Sequence, residues 1–324
     1  MAEPDDPTSS IVDLAEPADE RRAPTRRTAL VLGSGLAVGA VGAVVLGTGR
    51  VMLPGKLGTA QRSLGGRLDG ALHGTESAIP DAPEGQVTVS SRDSAARGTR
   101  VGVFTAIPAG LGSGAGLPVC LVLHGASATT ADFQRFGLAQ QLTAAIQAGA
   151  PPFVLMGADG GDTWWRKVGA DDAVGMVTRE LPAWAAERGF DSSRLAVYGW
   201  SRGGVGSLDL AADVAGGQAR FPAAARARST GSSAAPGLRA IAVLSPAVDP
   251  ADPVMPRLNA VRGAGVGVWC GSLDGLLAGG QAAAAAVGGG AAVASWTPGS
   301  HTRLFWDSVT PQAFAFIAAA LAKQ

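Results

Sequence analysis

The sequence predicts an α/β fold, a mostly parallel eight-stranded sheet with helices on both faces. Two observations predict it: short apolar runs recur from residue 86 onward, and helix-like stretches separate them. Runs that are apolar throughout are typical of strands buried on both faces. Strands that alternate with helices are typical of a parallel sheet covered on both sides.

The apolar runs give the order of the elements. Residues 86–90 and 100–107 alternate in polarity like an opening antiparallel pair. Six buried strands are predicted at 119–123, 153–157, 195–200, 240–244, 266–270 and 292–296. Helical spacing of apolar residues occurs at 130–147, 170–187, 203–214 and 281–287. A last helix is predicted at 311–322, with Thr310 as N-cap and Pro311 at its first position.

Composition excludes several functional classes. The formal net charge is zero and 16% of residues are charged, so the basic excess that nucleic-acid binding requires is missing. Cys120 and Cys270 lie in separate apolar runs and are predicted to be buried thiols. Two cysteines and three scattered histidines provide no metal-ligand spacing, so we expect neither a metal nor a cofactor.

The first 85 residues are predicted to precede the globular domain, 86–324. Residues 1–27 are polar and end in paired arginines, and 28–49 are uncharged. This pattern is typical of an export signal read by the twin-arginine machinery. A segment of this length can also span a bilayer, so an uncleaved membrane anchor is the alternative. Either way we expect an exported domain, secreted or anchored to the outer face of the cytoplasmic membrane, with 50–85 as a linker.

One motif predicts a catalytic residue. The fifth predicted strand runs directly into Gly199-Trp200-Ser201-Arg202-Gly203, and a predicted helix follows. A nucleophilic serine on a strained strand-to-helix turn needs small residues two positions to either side. Since the chain contains 47 glycines, the pentapeptide alone is weak, and its position between strand and helix gives it weight. We predict that Ser201 is a nucleophile.

The catalytic base and acid are predicted from their positions along the chain. Of the three histidines, His73 precedes the core strands, His124 ends the third strand, and only His301 comes after Ser201, as the order serine, acid, histidine requires. The acid is predicted to be Asp274, directly after the seventh strand. It would orient the imidazole and stabilise the imidazolium.

Other acids and donors have weaker signals. Asp249 and Asp252 follow the sixth strand in a proline-rich turn, where aspartate usually caps backbone groups. Two backbone N–H groups are needed to bind an oxyanion, and we predict those of Arg202 and Ala126. The loop after the fourth strand carries Trp164 and Trp165, which either line a substrate pocket or pack against helices.

The chain resembles the putative-esterase family of α/β-hydrolases, which includes esterase-D-like enzymes and secreted mycolyltransferases. The likeness rests on residues 121–125, the Asp159-Gly160…Trp164-Trp165 loop, the helix with Glu180-Leu181-Pro182-Ala183-Trp184, the elbow 199–203 and Gly299-Ser300-His301…Trp306. It implies an α/β-hydrolase fold and a triad of Ser201, Asp274 and His301. The family's elbow usually carries methionine after the serine, where this chain has Arg202.

The prediction is therefore a serine esterase that acts on a small-molecule or lipid ester. The short stretch after the sixth strand predicts little or no lid. Two alternatives stay open. One is an acyltransferase that acts on cell-envelope lipid or sugar, and the other is a non-catalytic binding protein on a hydrolase scaffold.

Overall fold

An eight-stranded sheet forms the centre of the protein in the computed structural model, which describes residues 55–73, 79–221 and 237–323. The predicted polar leader 1–27 and the predicted signal or anchor 28–49 lie outside these ranges. The strands are β1 Gln86–Ser94, β2 Thr99–Ile107, β3 Pro118–Leu123, β4 Val154–Ala158, β5 Asp191–Trp200, β6 Gly237–Leu244, β7 Gly265–Trp269 and β8 Val293–Ser295.

The strand order is β1-β2-β4-β3-β5-β6-β7-β8. β2 pairs antiparallel with β1 and β4, and every other neighbouring pair is parallel. The described helices are α1 Gly55–His73, α2 Thr130–Arg135, α3 Leu138–Gln147, α4 Ala173–Gly175, a π-helical turn Met176–Glu180, α5 Leu181–Glu187, α6 Arg202–Ala215, α7 Met255–Leu258, α8 Leu277–Ala286 and α9 Arg303–Leu321.

Both faces of the sheet are buried. In β3, Val119 and Leu121 belong to one apolar cluster, which includes residues of α6. Cys120 and Val122 belong to a second cluster, which includes residues of α9. Because side chains alternate along a strand, this division shows that helices cover both faces. The predicted fold class is confirmed.

The last helix begins at Arg303, where the sequence predicted Pro311. Its N-cap is Thr302, whose side-chain oxygen accepts the N–H of Phe305, and Pro311 lies inside the helix. An interior proline costs about 3 kcal/mol, whereas burying Phe305 and Val309 contributes about 1.5–3 kcal/mol each. The core contacts of the first two turns therefore outweigh the missing hydrogen bond.

Two further expectations are corrected. The predicted helix 130–147 is divided in two, because Gly137 adopts a left-handed conformation with φ of 64° between α2 and α3. The predicted linker 50–85 contains α1, which packs against α9. Short or weakly apolar helices are stabilised mainly by tertiary packing, a signal that composition does not carry.

Among the described helices, only α9 is long and apolar enough to cross a membrane by length and composition. Half of the 18-residue apolar stretch in this helix is buried inside the protein. Phe305, Phe314 and Ile317 are fully buried in the core, which identifies α9 as a core helix.

Candidate active site

Ser201 lies in a sharp turn between β5 and α6. Its φ of 55° and ψ of −118° are rare for a residue other than glycine. A Cβ on Gly199 would lie 2.4 Å from the carbonyl oxygen of Gly203, and one on Gly203 would lie 2.0 Å from that of Leu123. Only glycine fits at either position. The turn therefore has the geometry of a nucleophile elbow.

Three side chains form a hydrogen-bonded chain beside this turn. His301 Nε2 lies 3.0 Å from Ser201 Oγ, and His301 Nδ1 lies 3.0 Å from Asp274 Oδ2. The three residues follow β5, β7 and β8. The carboxyl ends of parallel strands meet at one edge of a sheet, where such groups gather. The structure thus brings together the three residues that the sequence predicted as a triad.

The environment of Asp274 keeps its carboxylate ionised. The residue is fully buried, and burial alone raises the pKa of an aspartate. The charge of His301 and its hydrogen bond oppose this effect, and the N–H of Leu276 donates to Oδ1 at 2.8 Å. The net result is a pKa of Asp274 below its ordinary value. An ionised acid can hold the imidazole in one tautomer and stabilise its charged form.

The alternative acids serve other purposes. Asp249 accepts the N–H of Ala251 at 2.8 Å, and Asp252 accepts that of Val254 at 3.0 Å. These are the local turn bonds expected of aspartate after a strand. Asp252 also pairs with Arg166 at 3.3 Å.

Residues 94–222 match the model of the family described as putative esterase, a match that covers less than half of the chain but includes the elbow. A ferulic acid esterase superposes with a TM-score of 0.57 at 17% identity, over 73% of this chain and 98% of its own. The S-formylglutathione hydrolase of Agrobacterium tumefaciens gives 0.53 at 18% identity, over 75% and 98%. FphF, a fluorophosphonate-binding serine hydrolase of Staphylococcus aureus, gives 0.55 at 11% identity, over 72% and 98%. Comparison with curated proteins gave no significant match.

The structural matches show the α/β-hydrolase fold, and the family match adds the enzyme class. The protein is an esterase. The resemblance to the putative-esterase family that the sequence predicted is confirmed.

Of the two predicted oxyanion donors, Arg202 directly follows Ser201 and Ala126 directly follows Gly125. Arg202 is the first residue of α6, so its N–H has no acceptor within the helix. The helix N-terminus also favours negative charge at this point. Ala126 lies in the exposed turn after β3. The preceding Gly125 packs against Ser201, since a Cβ there would lie 3.3 Å from Ser201 Cβ.

His124 shapes the turn after β3. It is buried, its Nδ1–H donates to the carbonyl of Gly125 at 2.7 Å, and its Nε2 accepts the N–H of Gly160 at 2.8 Å. These partners fix a neutral imidazole, with the proton on Nδ1. Burial lowers the pKa of His124 below its ordinary value. In the esterase this residue ties together two loops at the active-site edge.

The two tryptophans have different roles. Trp165 is only 4% exposed, its Nε1–H donates to the carbonyl of His124 at 3.0 Å, and its ring covers Gly206. This packing against Gly206 of α6 is one of the two alternatives that the sequence left open for Trp165, and a pocket role stays a prediction. Trp164 is 36% exposed, and Arg202 Cζ lies 4.3 Å from its ring centroid. Trp164 stays a predicted pocket residue.

Sequence reasoning missed two contacts of the site. Trp306 packs edge-on against His301, with ring centroids 5.1 Å apart at 89°. The sequence predicted a helix start at Pro311, which left Trp306 outside the helix. In the structure Trp306 lies in the first turn of α9. Asp162 lies 3.5 Å from the guanidinium of Arg202. No sequence signal pairs these two residues.

Neither cysteine has the properties of a reactive thiol. Cys120 and Cys270 are free and fully buried. Burial raises the pKa of both thiols far above their ordinary value. Within the described ranges, no group of three or more His, Cys, Asp or Glu side chains is placed to hold a metal ion.

Proposed function

We propose that this esterase is an exported enzyme that cleaves carboxylic esters through an acyl-enzyme formed on Ser201. The observation that carries the proposal is the chain Ser201 Oγ, His301, Asp274, with both distances at 3.0 Å. An unassisted serine hydroxyl is a weak nucleophile, and an adjacent base that is itself oriented by a third group activates it.

In the proposed mechanism, His301 Nε2 removes the proton of Ser201 as Oγ attacks the ester carbonyl. Asp274 accepts the Nδ1–H and stabilises the imidazolium without taking the proton. The imidazolium then protonates the departing alcohol, which leaves an acyl group on Ser201. Water, deprotonated by the same nitrogen, attacks this acyl-enzyme, and the imidazolium returns the proton to Ser201 Oγ as the acid is released.

The backbone N–H groups of Arg202 and Ala126 would bind the oxyanion that forms at each attack. Such donors are already in place when the negative charge develops, so the protein does not have to rearrange. Loss of one typically costs about 10²–10³ in kcat. The geometry in support is the free helix N-terminus at Arg202 and the close contact of Gly125 with Ser201.

The substrate is proposed to be a small-molecule or lipid ester. Between β6 and β7 the only described helix is the four-residue α7, which supports an active site without a large lid. Arg202, which follows Ser201 in the chain, is partly exposed and stacks on the exposed ring of Trp164.

Export is proposed from the paired arginines before the uncharged segment 28–49. Support for a retained anchor comes from α1, where Leu64, Leu68 and Leu72 recur every fourth residue with exposed side chains. This helix starts only a few residues after the proposed anchor. A bilayer beside it would cover such a stripe.

Export can be tested by replacing Arg26 and Arg27 with lysine. We expect the esterase to accumulate in the cytoplasm, because the twin-arginine machinery reads the arginines themselves. Unchanged export would contradict this route. A retained anchor predicts that the exported wild type stays in the membrane fraction after an alkaline wash, and release into the wash would contradict it.

The reaction can be tested with Ser201→Ala. We expect hydrolysis of short-chain p-nitrophenyl esters to fall to background and labelling by a fluorophosphonate probe to disappear. Ser207→Ala is a matched control, since Ser207 lies in α6 and donates to the carbonyl of Gly203. Hydrolysis that survives Ser201→Ala would overturn the assignment.

A further inference from the structure

α1 lies against the loop that carries His301. This loop, residues 297–302, follows β8 and is called here the histidine loop. On one side it is held by the loop after β7, where the N–H of Ser272 donates to Thr297 at 2.8 Å and that of Leu273 to Gly299 at 2.9 Å. On the other side it meets the C-terminal half of α1.

Three alternate residues of the histidine loop bind α1. The N–H of Ser300 donates to Asp69 Oδ1 at 2.7 Å, and the hydroxyl of Thr302 donates to Asp69 Oδ2. His73 Nε2 donates to the carbonyl of Pro298 at 2.9 Å. His301 lies between Ser300 and Thr302, and its own side chain reaches Ser201.

The Asp69 contacts are buried. Asp69 is fully buried and Ser300 is 5% exposed, so bulk water does not compete for their hydrogen bond. A buried donor left without a partner is costly. Thr302 is also the N-cap of α9, so the carboxylate of Asp69 lies near the positive end of that helix. Without Asp69 the loop would have to move to satisfy the N–H of Ser300.

Helix α1 closely approaches the histidine loop at Gly65. A Cβ on Gly65 would lie 2.8 Å from Ser300 Oγ, whereas a Cβ on the neighbouring Gly66 would meet no atom within 4 Å. The absence of a side chain at Gly65 therefore lets the helix reach the histidine loop.

We propose that Asp69 is a positioning residue of the active site, through which α1 holds the histidine loop so that His301 faces both Ser201 and Asp274. The proposal rests on the proposed function. It makes α1 a part of the catalytic apparatus, although the sequence predicted a linker there. A displacement of about 1 Å in a catalytic group can cost 10²-fold in rate, so loss of Asp69 acts on kcat more than on KM.

The test compares Asp69→Ala and Asp69→Asn in the full chain, using kcat, KM and the rate of fluorophosphonate labelling. For Asp69→Ala we expect kcat and the labelling rate to fall together by about 10- to 100-fold, with KM within about twofold because no substrate contact is lost. Asp69→Asn keeps an oxygen that can accept the N–H of Ser300, so we expect it to restore part of the rate.

The glycine pair gives a matched control that leaves Asp69 in place. Both Gly65→Ala and Gly66→Ala raise helix propensity. Only Gly65→Ala presses on Ser300, so we expect a reduced kcat for this variant and the wild-type kcat for Gly66→Ala. If Asp69→Ala does not fold, Asp69→Asn and the glycine pair decide the matter.

Folded Asp69→Ala with kcat within twofold of wild type would overturn the proposal. So would a loss confined to KM, or equal kcat values for the two glycine variants. In those cases the proposed function still stands if the wild type is labelled by the fluorophosphonate probe and hydrolyses the ester. A wild type that does neither would overturn the proposed function and this proposal with it.

Discussion

His124 Nε2 accepts the backbone N–H of Gly160 at 2.8 Å, which ties the turn after β3 to the loop after β4. The carbonyl of the same residue accepts Trp165 Nε1–H at 3.0 Å. One buried histidine therefore connects the predicted oxyanion turn with the tryptophan loop. The bond from Gly160 exists only while Nε2 carries no proton.

The neutral state of His124 predicts a pH dependence of stability. An unfolded histidine titrates near 6.5, and burial holds the pKa of His124 below that value in the folded state. As pH falls below 6.5 the unfolded state takes up a proton that the folded state does not, so stability falls. Each unit of difference contributes about 1.4 kcal/mol. We expect the free energy of unfolding of wild type to drop more steeply from pH 7 to 5 than that of His124→Asn, and parallel curves would refute this.

Asp274→Asn is expected to lower kcat by about 10⁴-fold, because the amide favours the wrong tautomer of the histidine. Asp249→Asn is the control, since Asp249 accepts only a local turn bond among its described contacts. We expect that variant to keep the wild-type rate. Equal losses in both variants would show that the acid has been misassigned.

The pKa of Asp274 also has a consequence for stability. It lies below the ordinary value, so its contribution is present above the unfolded pKa of about 3.9. That contribution is lost as pH falls through the folded pKa. The free energy of unfolding should therefore change less with pH in the acid range for Asp274→Asn than for wild type. An unchanged titration would argue against a strongly paired carboxylate.

Gly203→Ala is expected to disrupt the elbow. Its Cβ would lie 2.0 Å from the backbone oxygen of Leu123, which can give way only if β3 or α6 shifts. We expect a loss of several kcal/mol of stability, or a folded protein without activity. Gly280→Ala is the matched control in α8, because its Cβ would meet Cys270 Cβ at an ordinary 3.4 Å. Equal thermal midpoints and activities for the two variants would contradict the steric argument.

Arg202→Ala separates the backbone of this residue from its side chain. The variant keeps its N–H, so we expect kcat on a neutral short-chain ester within about tenfold of wild type, well short of the 10²–10³ of a lost oxyanion donor. Removing the cation beside Ser201 should reduce kcat/KM more for a negatively charged acyl ester than for a neutral ester of equal length. If activity on the neutral ester falls a thousandfold, the side chain takes part in the chemistry.

The fold could be predicted in large part because each strand carries its own signal. Buried strands such as β3 and β5 are continuous apolar runs, and their order along the chain predicts parallel pairing. Ser201 could be predicted as the nucleophile because a strand, two glycines and a helix surround it within a few residues. His301 followed by elimination from only three histidines.

Errors arose where distant residues override local preference. Pro311 is favoured at a helix start, yet core contacts of Phe305 carry α9 through it. α1 has few large apolar side chains, yet α9 and the histidine loop hold it in place. Trp164 and Trp165 are neighbours of the same residue type, and only packing decides that one is exposed and the other buried.

The sequence by itself determined the order of strands and helices, the candidate nucleophile and the residues available to serve it, because these depend on local periodicity and on the few histidines present. Only the tertiary structure decided that His301 Nε2 stands 3.0 Å from Ser201 Oγ across a hundred residues. Only it joined Asp69 to the loop that carries the histidine, 231 residues away. Such contacts depend on how the ends of separate strands meet in space, and no stretch of sequence contains that geometry.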